Sequence, residues 1–105
     1  PSSMQARDAL ELATLGGAAC LGRTGEIGVL TPGAAGDVAV WSLDGVRFAG
    51  ALSDPVEAWL RCGPVSARDT IVAGRAVVAG GLLVDNRIDE ILDRHRAVAT
   101  RWQGR

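Results

Sequence analysis

Apolar positions recur along the chain in several rhythms, and each rhythm predicts an element. From about Gln5 to Gly22, the residues Ala6, Ala9, Leu10, Ala13 and Gly17 mark one face at helical spacing. Ser2 and Gln5 fit a capping box at its start, the hydroxyl accepting from the first turn and the amide reaching back. Asp8 sits early, where the helix dipole favours a carboxylate. Gly16-Gly17 predicts a break or bend; Ala18 to Leu21 then resume the helix and Gly22 ends it.

An extended segment follows, with Ile27, Val29 and Thr31 on one side and a type II turn at Pro32-Gly33. Asp37 opens a strand, Val38-Ala39-Val40-Trp41-Ser42-Leu43, which is apolar on both faces and so is expected to be covered on both. Asp44-Gly45 ends it, and the weakly patterned stretch from Val46 to Ser53 reads as a loop. Asp54-Pro55-Val56-Glu57 is a compact helix start: Asp as N-cap, Pro at the first helical position, Glu three residues after the cap. Gly63-Pro64 stops that short helix. Thr70 to Ala73 and Ala76 to Ala79 predict two strands around a tight turn at Gly74-Arg75. Gly80-Gly81 makes the next turn, and Leu82-Leu83-Val84 a brief third strand. Finally, Ile88, Ile91, Leu92, His95, Val98, Ala99 and Trp102 form one stripe with helical period, and Glu90 can pair with Arg94 at i,i+4 on the opposite side. No internal repeat or low-complexity tract interrupts this order.

Composition changes the picture in one respect. The 14 glycines added to the 48% apolar residues bring the total to about 61% of 105 residues, against a usual 45–50% on the same counting. A single small domain cannot bury that much, so part of its surface is expected to lie against protein not present here. The net charge of −1 offers no basic field to nucleic acid or an anionic membrane. No apolar run reaches the roughly 18 residues of a membrane span. No signal-peptide pattern is visible, and the chain opens on Pro1 rather than Met, so a start further upstream is expected. All 11 basic residues are Arg, from which no function follows. Cys20 and Cys62 have no framework spacing and read as two reduced, buried thiols of a cytoplasmic protein.

Candidate chemistry is sparse. A metal centre needs several His, Cys, Asp or Glu side chains converging, and the chain has one His and two Cys, far apart in sequence. His95, within the last apolar stripe, reads as a packed helix-face residue, because no Cys, Ser or second His is spaced to work with it. Asp37, at a strand edge, reads as a carboxylate bonding nearby backbone N–H groups in a turn. Asp54 reads as a cap, and Asp89, Glu90 and Asp93 as the solvated first turns of a helix. The Gly-rich stretches lack a phosphate-loop pattern, with no Lys anywhere. The three Trp and one Phe are not interleaved with a basic cluster and read as core or interface. The residues alone therefore predict a soluble α+β domain with an unusually apolar surface. They assign no catalytic, cofactor-binding or metal-ligating residue, and no nucleic-acid or membrane partner.

Three blocks, in order, resemble the C-terminal region of the amidohydrolase superfamily. Ala9-Leu10-Glu11-Leu12-Ala13-Thr14-Leu15-Gly16-Gly17-Ala18-Ala19-Cys20-Leu21-Gly22 resembles the last helix of that family's catalytic (β/α)8 barrel. Ile27-Gly28-Val29-Leu30-Thr31-Pro32-Gly33-Ala34-Ala35-Gly36-Asp37-Val38-Ala39-Val40-Trp41 is similar to its "IGxLxPGKxADLVV" segment, which leads from the barrel into a small β-sandwich. Asp69-Thr70-Ile71-Val72-Ala73-Gly74-Arg75-Ala76-Val77-Val78 resembles the sandwich's "VxxVxVNGxxVV" hairpin. Asp54-Pro55-Val56-Glu57-Ala58-Trp59-Leu60-Arg61-Cys62-Gly63-Pro64 looks like the "DPVxALVFCGP" of the aminohydrolase and chlorohydrolase branch, which holds 8-oxoguanine deaminase, the triazine hydrolases and the cytosine and guanine deaminases; 8-oxoguanine deaminase is the nearest in feel. Together the blocks cover most of residues 6–80. Two departures stand out: the family's usual Lys after Pro-Gly is Ala34, and its usual Ala before Asp is Gly36.

The resemblance implies a division of the chain. Residues 1–24 would be the last barrel helix and its connection. Residues 25–86 would be C-terminal strands of a composite β-sandwich with a short inserted helix at 55–62, and residues 87–105 a C-terminal amphipathic helix. It implies a parent enzyme that deaminates a nitrogen heterocycle of purine, pyrimidine or triazine type. There a zinc or iron ion, bound by a His-x-His pair, two further His and an Asp on the barrel, lowers the pKa of a water. No residue here matches those ligands, so no metal or cofactor is expected in this chain. The implied partners are the upstream N-terminal strands and barrel of the same protein. The rival expectation is an independent binding or oligomerisation module descended from amidohydrolases, forming homo-oligomers through its exposed apolar surface.

Overall fold

The computed structural model describes residues 4–104; the Ser2 half of the expected capping box lies outside them. In chain order the elements are α1 (Ala6–Glu11), a π-helical segment (Leu12–Gly16), α2 (Gly17–Cys20), β1 (Val38–Val40), a 3-10 turn (Val46–Phe48), α3 (Pro55–Arg61), β2 (Asp69–Val72), β3 (Arg75–Ala79), β4 (Leu82–Leu83) and α4 (Ile88–Trp102). Helices and one antiparallel sheet of order β1-β2-β3-β4 make a mixed fold, in keeping with the expected α+β class. The described residues form one sheet rather than a pair of packed sheets.

The opening helix does not break at Gly16-Gly17. Both glycines keep ordinary helical torsions, and the irregularity is the π segment that ends at Gly16. The Thr14 hydroxyl donates to the Leu10 carbonyl at 2.7 Å, a back-bond of the kind that bends helices locally. At the start, the Gln5 N–H donates to Asp8 Oδ2 at 2.9 Å, so Asp8 secures the first turn.

α3 forms as its sequence predicts. Asp54 Oδ1 accepts from the N–H groups of Val56 and Glu57, at 3.1 and 3.3 Å, and Pro55 occupies the first helical position. α3 lies against α1, and the Ala6 N–H reaches Glu57 Oε1 at 3.3 Å. The Pro32-Gly33 turn is also found, closed by Ala34 N–H to the Thr31 carbonyl at 3.1 Å, with Gly33 at φ 90°.

The hairpin turn is displaced by one residue from its expected place. Its two central residues are Ala73 and Gly74, at φ 51° and 76°, the double left-handed geometry of a two-residue hairpin. A contact distant in sequence sets this register. Asp37 Oδ1 accepts from the Ala73 N–H at 2.8 Å, and the Gly36 carbonyl accepts from the Gly74 N–H at 2.8 Å. A left-handed torsion at Ala73 costs about 1–2 kcal/mol, and Asn tolerates it far better than Ala. Ala73→Asn should therefore stabilise the hairpin by roughly 0.5–1 kcal/mol, read as a rise in the urea midpoint at constant m-value. An unchanged or lower midpoint would contradict it. The same contact accounts for Gly36: a Cβ there would stand 2.9 Å from the Gly74 nitrogen.

β1 is shorter than the expected 38–43 strand and is not covered on both faces. Val38 and Val40 are half-buried while Ala39 is exposed, and β1 is an edge strand of the sheet. The Val46–Ser53 loop contains a 3-10 turn whose Phe48 is 3% exposed, one of the buried apolar residues with Ala6, Ala18 and Ala58. Cys20 is exposed and Cys62 half-buried, so the expectation of two buried thiols fails for Cys20 outright and is only half met for Cys62.

α4 forms over its stripe, but that stripe is open to solvent, with Ile91 and Val98 each 47% and Trp102 86% exposed. The expected Glu90–Arg94 pair does not form; Arg96 instead meets Asp93 at 3.5 Å. Surface pairs of this kind gain so little that neighbouring alternatives compete freely.

The molecule as a whole is expanded. Its accessible surface is 8229 Å², where a compact monomer of this size exposes roughly 5,500 Å². Its radius of gyration is 17.8 Å, against about 13 Å for a compact chain of about 100 residues.

Candidate functional site

An apolar concavity lies between α1, the chain after β1, and α3. Leu10, Trp41, Leu43, Pro55, Val56 and Trp59 line an open hollow of about 240 Å³. Its floor is the Trp41–Trp59 pair, with ring centroids 4.9 Å apart and planes tilted by 55°, an arrangement aromatic quadrupoles favour. α3 brings Trp59 to the hollow because Asp54 and Pro55 fix where that helix starts. The lining is almost wholly apolar, and no carboxylate, imidazole or thiol is among the residues that form it. A hollow of this chemistry can receive apolar side chains; it has nothing with which to polarise or attack a substrate.

The carboxylates are committed elsewhere. Asp37 holds the hairpin turn, and Asp54 caps α3. Glu57 bonds the Arg61 guanidinium and accepts from the Ala6 N–H, and these two contacts hold its carboxyl below the usual range. Asp69 is lowered by Arg68 and then by the Gly80 N–H, and Glu26 by Arg23. Asp85 takes two hydrogen bonds from the Arg87 side chain, at 3.1 and 2.9 Å, and one from its backbone N–H. These lower it to about 2. A carboxyl depressed in the folded state adds stability above its unfolded pKa, and that stability is lost as pH falls through the folded value. Asp85→Asn should accordingly lower stability at neutral pH and flatten its fall between about pH 4 and pH 2, so that wild type and variant converge in acid. Acid titration of the unfolding midpoint measures this; an unchanged slope would refute it.

His95 projects from α4 and is exposed. Asp89, Glu90 and Asp93 lie on the same helix, with Asp93 bonded by Arg96. Among the described residues no group of three or more His, Cys, Asp or Glu side chains comes together in a way that could hold a metal ion. Nor is any helix long and apolar enough to cross a membrane. Sequence reasoning singled out neither Trp41 nor Trp59 as partners. Their pairing joins positions 18 residues apart across a turn, and only the tertiary path brings them together.

The four sequence blocks that suggested a family therefore sit in one connected structure: α1 and α2, the 27–41 segment, α3, and the β2–β3 hairpin. Residues 2–77 match the pattern of the Amidohydrolase family. The chain belongs to the amidohydrolase family. An amidohydrolase relative, 8-oxoguanine deaminase of Pseudomonas aeruginosa, is 39% identical over 92 residues, covering 88% of this chain and 20% of the relative. Among solved structures, a variant of the atrazine chlorohydrolase TrzN from Arthrobacter aurescens TC1, complexed with zinc and atraton, superposes with a TM-score of 0.80. It is 35% identical, with 90% of this chain and 20% of that chain covered. The same chlorohydrolase complexed with zinc gives 0.79 at 35% identity, covering 89% of this chain and 20% of that one. The chain thus spans about a fifth of the length of the relatives it matches. A zinc ion of the kind those structures hold does not fit the residues described here, whose sole imidazole stands alone on α4.

Proposed function

We propose that this chain is the C-terminal structural segment of a metal-dependent amidohydrolase that hydrolytically deaminates a nitrogen heterocycle of purine, pyrimidine or triazine type. The observation that carries the proposal is the surface. An amidohydrolase segment with 8229 Å² exposed, an open apolar hollow and no converging polar groups is shaped to be covered. On this reading residues 1–24 are the last barrel helix and its connection. Residues 25–86 are sandwich strands with the inserted helix, and residues 87–105 are a C-terminal helix. β1 and β4, each with an outer edge no described strand pairs, await strands from upstream. Metal ligands, catalytic groups and most of the substrate pocket belong to the barrel; this chain supplies none, and its task is to close the barrel and complete the sandwich. A cytoplasmic setting fits its two free thiols. A free-standing module is less well supported, because an independent domain would bury its Leu and Trp side chains more completely.

The deciding measurement is activity and metal content of the full-length protein beside the isolated 105-residue chain. The full-length enzyme should contain about one zinc or iron per chain and release ammonia from at least one of 8-oxoguanine, guanine, cytosine or an aminotriazine. The isolated chain should do neither. Stoichiometric metal in the isolated chain, or a natural reading frame that starts at residue 1, would end the proposal.

A further inference from the structure

We infer that Glu57 is a positioning residue for the reaction proposed above: from α3 it fixes the first turn of α1, and with it the loop by which the chain enters α1 from the catalytic face of the barrel. The inference rests on the reading of α1 as the last barrel helix. In a (β/α)8 barrel each helix follows a strand. The N-terminal end of a helix therefore stands near the C-terminal ends of the strands, the face that carries the active site. Gln5 and Ala6 form that end of α1.

α1 and α3 meet by their first turns. A first-turn N–H has no acceptor within its own helix, and that of Ala6 donates to Glu57 Oε1 at 3.3 Å, 51 positions away. Arg61, one turn further along α3, donates to the other carboxylate oxygen and holds it in place. The Glu57 carboxylate thus stands at the start of both helices, where both dipoles favour a negative charge. Arg7 Nη2 also lies 3.8 Å from Oδ1 of Asp54, the cap of α3, but both side chains are exposed and such a pair is a weak tie. Ala6 and Ala58, neighbours of these contacts in sequence, are each 1% exposed. A donor left there without its carboxylate is poorly served by water, so the chain entering at Ala6 loses its fixed point when Glu57 is removed. The reacting groups of such a barrel come from strand ends, and a displacement of about 1 Å can cost about a hundredfold in rate.

The test is steady-state kinetics of the full-length protein on whichever of 8-oxoguanine, guanine, cytosine or an aminotriazine it deaminates. Glu57→Ala should lower kcat by about tenfold or more and leave KM within about twofold. Glu57→Gln, whose amide oxygen can still accept from the Ala6 N–H, should bring kcat back to within about threefold of wild type. Asp69→Ala is the control for stability alone. Asp69 likewise bonds an arginine, Arg68, and a backbone N–H, that of Gly80, but in the sheet; its loss should lower Tm and leave kcat in place. Should Glu57→Ala fail to fold, Glu57→Asp, one methylene too short for the Ala6 N–H, takes its place. A kcat within about twofold of wild type for that variant overturns the inference. So does a Glu57→Gln variant no better than Glu57→Ala, or an equal loss of kcat in Asp69→Ala. Each of these leaves the assignment of the segment standing. A wild-type protein inactive on all of those heterocycles overturns that assignment, and the inference with it.

Discussion

Gly28→Ala is expected to destabilise the fold by about 2–4 kcal/mol, more than any other single-methyl change in the chain. Two effects coincide at this position. Gly28 sits at φ 75°, where a side chain costs about 1–2 kcal/mol. A Cβ built there would also stand 2.4 Å from the Thr14 carbonyl oxygen and 2.8 Å from its carbon. Both atoms belong to the backbone, so no side chain can swing aside, and the loop must lift from the π segment. The control is Gly25→Ala, at φ 82° but facing open space, which should incur the torsional cost alone. Urea unfolding separates them: Gly28→Ala should lose at least about twice what Gly25→Ala loses. Equal losses would mean that the loop and the helix are not pressed together.

Phe48→Ala should cost about 3–5 kcal/mol, the usual range for emptying a buried aromatic site. Phe48 is 3% exposed and is the largest of the buried apolar side chains. The turn that carries it is fastened by Arg47 Nη1, which donates to the Pro64 carbonyl at 2.8 Å, so the surroundings cannot easily collapse into the space left behind. Phe48→Leu should recover more than half of the loss. The unfolding midpoints of the two variants measure this, and a loss below about 1 kcal/mol for Phe48→Ala would show that the site is not part of the core.

How far the sequence spoke depended on where each element's determinants lie. α3 was legible because its start and stop are local: Asp54, Pro55 and Glu57 at one end, Gly63-Pro64 at the other. The Pro32-Gly33 turn and the α4 stripe were legible for the same reason. The β2–β3 turn was misplaced by one residue because its register depends on Gly36 and Asp37, more than 30 positions away, and Ala73 carries no mark of a left-handed torsion. The π segment was not legible because whether the Thr14 hydroxyl bonds back to the Leu10 carbonyl leaves no mark in the sequence. Burial was misjudged at β1, Cys20 and Cys62 because an apolar residue type does not by itself say which side chains the tertiary path covers. Several of the carboxylates are tied to turns, caps and arginines: Asp37, Asp54, Glu57, Asp69 and Asp85 each accept from a backbone N–H. For Asp54 the residue type and its neighbours were enough, because its bonds go to Val56 and Glu57; Asp37 bonds Ala73, 36 positions away, and that partner was not legible.

The unpaired outer edge of β4 has a consequence for synthesis in a cell. Leu82 and Leu83 form a short ribbon whose free backbone groups and greasy side chains can pair with any extended chain nearby. Were that edge left without a partner, the product would be a ready client for chaperones and proteases.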